Sequence, residues 1–170
     1  MRIKMSIAID AYTEHNIILC KDMLLELSGR FDEMFEGRYN PALINICFMM
    51  RRGEIPEIDT PVLDMMDQIT GMDNNAVFHI NKALIYIAQD ECGKAREEIR
   101  KIKYDIEEAV QWWSQDAVVG VEEKTVVLCL LLLENKIETD IETLEFIKLY
   151  IDSVFLPNEI KQEVMGMEVN

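Results

Sequence analysis

Glycine and proline are scarce in this 170-residue chain, at 7 and 4. A fold of many tight turns needs both, so an all-β architecture is excluded. Only two histidines occur, His15 and His79. Neither has a serine, cysteine or carboxylate at a spacing that reads as a catalytic set, which argues against an enzyme. A packed or exposed structural role is expected for both. The four cysteines, Cys20, Cys47, Cys92 and Cys129, lie 27, 45 and 37 residues apart. There is no Cys-x-x-Cys, so neither a zinc site nor a redox motif is expected. Small buried hydrophobes in a reducing cytoplasm is the account that fits.

Positive charge is also short. Lysine and arginine total 17 against 32 aspartates and glutamates, a formal net charge of −15. The deficit is uneven. Residues 1–103 hold 17 acids and 13 bases, whereas residues 104–170 hold 15 acids and 4 bases. The second region repels nucleic acid, so no nucleic-acid partner is expected. Arg51–Arg52 and the cluster from Lys94 to Lys103 are the only basic concentrations. The greasiest run, TVVLCLLLL at 125–133, is closed by Glu134. It falls far short of the roughly 20 residues that span a bilayer, so no membrane association is expected. The opening MRIKMSIAIDAYTEH soon turns polar and does not read as a secretory signal.

Nucleotide-binding glycine loops, calcium loops and paired Glu-x-x-His elements are all missing. No cofactor and no metal are expected. The acidic pairs Glu97–Glu98, Glu107–Glu108 and Glu122–Glu123, with the group Glu138, Asp140, Glu142 and Glu145, read as solvated helix faces.

What is present favours helix. Apolar residues make up 49% of the chain, and Leu, Ile, Met, Glu and Lys dominate. Over 6–28, Ile17, Cys20, Met23, Leu24 and Leu27 recur at threes and fours, an amphipathic pattern. Asn40-Pro41 and Thr60-Pro61 are cap-plus-proline starts, giving helices to about Arg52 and Thr70. Asn74 or Asn75 caps a helix to about Gln89. A long helix is expected over 94–113, a buried one over 121–134, an amphipathic one over 138–154, and a short one over 158–165. No period-two strand pattern occurs. The chain reads as seven to eight helices joined by short turns.

An internal repeat organises them. Shifting the chain by 36 residues lays Asn45 on Asn81, Cys47 on Ala83, Phe48 on Leu84 and Met50 on Tyr86. In the second helix of each pair, Leu63 falls on Ile99 and Met66 on Ile102. The small residue lets the two helices of a hairpin approach closely. A third pair follows at an offset of 46, with Cys129 small and Leu132 large. The units are 40–72, 74–113 and a degenerate 120–155, flanked by a helical segment at 1–39 and a tail at 156–170. All belong to one domain, 1–170.

The residues Ala42, Asn45, Ile46, Cys47, Met49, Met50 and Gly53, with Asp59 downstream, resemble a Sel1-like repeat. Phe78, Asn81, Lys82, Ala83 and Tyr86, with Ala95 and Ile99, are similar to both that family and its relative, the tetratricopeptide repeat. Two positions depart from the pattern: Lys82 stands where an aliphatic is usual, and Cys47 where glycine or alanine is. The resemblance implies an all-α, right-handed stack of antiparallel helical hairpins, an α-solenoid. It implies a non-catalytic module that binds a protein or peptide partner in a concave groove, with Asn45 and Asn81 holding the guest's main chain. An amide suits that task because it both donates and accepts, as a peptide unit does. Phe48, Arg52 and Leu84 share those helix faces and complete the candidate peptide-binding set. The alternative role for each Asn is a bond to a neighbouring loop or helix end.

Two readings from other classes stay open, one of them an enzyme that uses the scattered carboxylates. The acidic C-terminal part suits an inhibitor, immunity protein or secretion chaperone capping a basic partner. Trp112-Trp113 cannot both face the core of one helix; one ring is expected inside, and the other is a candidate anchor for a partner. Self-association as a homo-oligomer is left open.

Overall fold

The computed structural model describes residues 75–103, 106–115 and 119–169, together with Ile7, Asp10, Ala11, Glu14, Asn16, Leu19, Asp22 and Met23. The first proposed repeat unit, and with it Asn45, Phe48 and Arg52, lies outside the described residues. Those that are described form an all-helical structure with no strand among them. In chain order they are α1 (Ala76–Ala88), α2 (Cys92–Lys101), α3 (Ile106–Ser114), α4 (Val121–Leu133), α5 (Ile141–Tyr150) and α6 (Asn158–Met165). A single 3-10 turn, Ile151–Ser153, extends α5.

Local chemistry sets the boundaries. The Asn75 side chain accepts from the Phe78 N–H at 3.0 Å and caps α1. Asp140 does the same for α5, accepting from the Thr143 N–H at 2.8 Å and the Thr143 hydroxyl at 2.7 Å. Both α1 and α4 end in Schellman motifs. After α1 the left-handed residue is Asp90, at φ 64°, and the Glu91 N–H reaches back to the Tyr86 carbonyl at 2.8 Å. After α4 it is Asn135, at φ 52°, and the Lys136 N–H bonds the Leu131 carbonyl at 2.8 Å. Asp and Asn tolerate that conformation better than other side chains because their short polar groups bond locally.

Two expected helices differ. The helix expected over 94–113 divides at Ile102, whose extended backbone (φ −66°, ψ 121°) ends α2. Ile102 turns into the core there. The carbonyls freed by the break accept from the Lys136 ammonium, Arg100 at 3.1 Å and Ile102 at 2.7 Å. Periodicity could not reveal the break, because a lysine 34 residues downstream from Ile102 satisfies it. The pattern over 6–28 is also interrupted. Ala11 and Leu19 are helical, but Glu14 lies in a turn and Asn16 outside any helix. The Asn16 side chain accepts from the Leu19 N–H at 3.4 Å, as a starting cap would.

Helix α4 is the axis of the described structure. It packs on α1 and α2 on one side and on α5, α6 and the 3-10 turn on others. Residues 125–133 are consequently buried without exception. Helix α1 also packs on α2 and α3. No described helix is long and apolar enough to cross a membrane.

Candidate functional site

Asn81 and Leu84, the two candidates within the described residues, lie on α1 with no exposed surface, each at 0%. The Trp113 indole Nε1–H on α3 donates to the Asn81 carbonyl oxygen at 3.1 Å. Both partners are buried, so the bond fixes α3 against α1. The Asn81 amide nitrogen has no hydrogen-bond partner. The tryptophan pair divides as expected from helix geometry. Trp113 is 3% exposed and Trp112 is 72% exposed.

Two turns of α1 and one of α2 enclose a charged cluster. The His79 Nδ1–H donates to Glu98 at 2.8 Å. The Lys101 ammonium donates to the other carboxylate oxygen at 2.6 Å, and the Lys82 ammonium lies 3.6 Å from it. His79, Lys82 and Glu98 are all buried. Burial alone pushes the Glu98 carboxyl up. The hydrogen bonds from His79 and Lys101 and the charge of Lys82 outweigh it and hold the group at about 2. Glu98 is therefore an anion at any ordinary pH, and a buried anion needs its cations in place.

Burial corrects one expectation. Glu98 and Glu123 are buried, at 4% each, and are not part of a solvated face. Glu98 falls three residues after Ala95 and four before Ile102, both buried, which is the signal in the sequence that places it inside. Glu123 sits in the first turn of α4, where the helix dipole favours a carboxylate. It leans over Gly120, where a Cβ would approach its Oε2 to 2.6 Å. Lys82 is 7% exposed, its apolar stem packed inside while its head stays near charge. Its ammonium lies 5.6 Å from the Phe78 ring centroid while reaching toward Glu98.

Four of the five bases at 94–103, Lys94, Arg96, Arg100 and Lys101, make internal pairs. Lys94 bonds Glu91 at 3.0 Å. Arg96 and Arg100 both donate to the Glu134 carboxylate at the end of α4. Arg96 also lies 3.8 Å from Glu163 on α6. Burial pushes the Glu134 carboxyl up, but the two guanidinium groups bring it below its ordinary value. Helix α2 thus holds the end of α4, while Lys136 holds the end of α2.

Cys92 and Cys129 are free thiols. Burial pushes Cys129 up to about 12, so it stays protonated and packs as a small apolar residue. Burial also raises Cys92. Among the described residues no three His, Cys, Asp or Glu side chains gather to hold a metal ion.

The open surfaces are elsewhere. Trp112, Ile141 and Leu149 are the most exposed large apolar side chains among the described residues. No family model matches the chain, and no curated protein or solved structure matches it.

Proposed function

We propose that the chain is a non-catalytic protein- or peptide-binding module, built as a right-handed stack of helical hairpins. The reading rests on one correspondence. Helices α1 and α4 each span 13 residues, and α2 and α5 each span 10. The caps Asn75 and Gly120 are 45 residues apart, and so are the left-handed residues Asp90 and Asn135. The second helices start 49 residues apart, at Cys92 and Ile141, so the turn inside the second pair is the longer one, while α4 packs on both helices of the first pair. That contact pattern suits a repeat stack, in which each unit buries the open face of its neighbour. The first helices of the two pairs favour an offset of 45, one fewer than the 46 that the side-chain match suggested.

In this reading 40–72 is the first unit, 74–113 the second with α3 added, and 120–155 the third. A guest meets the first helices of the units. Because Asn81 is tied to Trp113 and Leu84 is sealed, first contact is assigned to Asn45, Phe48 and Arg52. Arg52 suits a guest carboxylate through its planar fork.

The test is co-purification from native cells. Asn45→Ala/Arg52→Ala is expected to lose a specific partner with its melting temperature unchanged. Asn81→Ala is expected to lower the melting temperature instead, since it leaves the buried Trp113 donor without an acceptor, at about 1–3 kcal/mol. Retention of every partner by an Asn45→Ala/Phe48→Ala/Arg52→Ala variant would refute the groove.

A further inference from the structure

The outer face of α5 bears an unusual pair of side chains. Ile141 is 59% exposed and Leu149 is 72% exposed. At 100° per residue they lie about 80° apart around the helix and about 12 Å apart along it. Glu145 falls midway between them, with Glu142 and Lys148 at the edges of the same sector. All five are exposed. The opposite face is committed, since Leu144 and Ile147 are buried and α5 packs on α4. Glu138 and Asp140 precede the helix and Asp152 follows it, all exposed. The cations nearby are Lys148 on the face, Lys124, whose ammonium sits 4.9 Å from the Phe146 ring centroid beside it, and Lys161, whose ammonium donates to the Asp152 carbonyl at 3.3 Å.

Positions eight residues apart fall on one side of a helix, so a single partner helix can cover both anchors. Charge decides the occupant. The face lies within the region 104–170, with 15 acids and 4 bases. A second copy laid on it would set carboxylate against carboxylate, and nucleic acid or an anionic bilayer would be repelled as well. We propose that this face docks a basic amphipathic helix of a partner protein. Its apolar side chains cover Ile141 and Leu149, and its lysines or arginines meet Glu142, Glu145 and Asp152. The proposal rests on the reading of the chain as a protein-binding module but uses a surface separate from Asn45, Phe48 and Arg52.

The probe is a synthetic helical peptide with leucines along one face and lysines on the other, titrated against the full chain. Saturable binding that weakens as salt rises is expected. Ile141→Ser/Leu149→Ser, which leaves every charge in place, should weaken it at least tenfold with melting unchanged. Trp112→Ser should leave it unaltered. The proposal is overturned if the double variant binds like the wild type, for then charge alone holds the peptide. Loss of binding in Trp112→Ser, or equal binding of a peptide with glutamates replacing the lysines, overturns it too. So does wild-type dimerisation in sedimentation that the double variant abolishes, because the occupant would then be a second copy. Loss of peptide binding only in Asn45→Ala/Arg52→Ala would sink this face while leaving the groove standing.

Discussion

At the residue scale, the decisive side chain is Glu98. Its position within the apolar stripe of α2 is legible in the sequence, because Ala95, Ile99 and Ile102 bracket it. Its partners are not, because His79 and Lys82 come from another helix and their approach depends on packing. The pH consequence follows directly. Glu98 sits at about 2 in the fold against an ordinary 4.5. A lowered carboxyl contributes stability in full above the unfolded value and loses it as pH falls through the folded one. The Glu98 contribution is therefore present at neutral pH and disappears between about pH 4.5 and 2. Glu98→Gln should be clearly less stable than the wild type at pH 7 in urea unfolding, and the gap should narrow as pH falls through that window. A gap independent of pH would show that the carboxylate is not ionised in place. Glu134 and Asp140 are also lowered and carry the same sign, so the difference between the two proteins is the informative quantity.

The same scale shows why candidate residues divide as they do. The 36-residue shift and the family resemblance pair Asn81 with Asn45, and that much needs only the sequence. Whether the amide faces a guest or a neighbour depends on what lies across from it, and across from it is Trp113. The Trp113 donor and the Asn81 acceptor stand 32 residues apart in the chain, and only packing brings them together. Trp112 and Trp113 themselves were separable in advance, because adjacent positions on a helix point about 100° apart.

At the element scale, the boundaries that survive are those written in local chemistry. Asn75 and Asn158 stand at or beside the expected starts of α1 and α6, and the Asp140 cap puts the start of α5 at Ile141 and not at the expected 138, because short polar side chains favour the cap position. Asp140→Ala removes a cap that makes two bonds to Thr143. It should cost about 1 kcal/mol in equilibrium unfolding with helix content otherwise preserved, and Asp140→Ser should recover most of the loss. The helix ends that sequence reading missed have distant causes. Helix α2 stops where Ile102 enters the core and Lys136 takes over its last carbonyls. Apolar periodicity continues through that point, since a residue turned inward by a break is as apolar as one turned inward by a helix.

At the scale of the whole molecule, α4 holds the described elements together. It is apolar on all sides, so no amphipathic stripe marks a preferred neighbour, and it meets α1, α2, α5 and α6 at once. Leu130 is fully buried within it. Leu130→Ala should cost about 2–5 kcal/mol, a fall of roughly 5–20 °C in melting temperature for a chain of this size. Leu149→Ala on the exposed face of α5 should stay within about 0.5 kcal/mol. Equal losses at the two positions, measured by thermal unfolding, would show that α4 is not the centre of the core.

Among the described residues, the all-helical character and most of the helix starts were determined by the sequence alone. Few glycines and prolines, apolar spacing at threes and fours, and capping residues act over a few positions, and a reader of the chain has all of them in view. Only the tertiary structure decided where the buried charges pair, that α2 breaks at Ile102, and that Trp113 bonds Asn81 while Trp112 faces water. Those outcomes depend on groups tens of residues apart meeting in a medium of low dielectric. There each unpaired donor or charge costs more than local preference supplies.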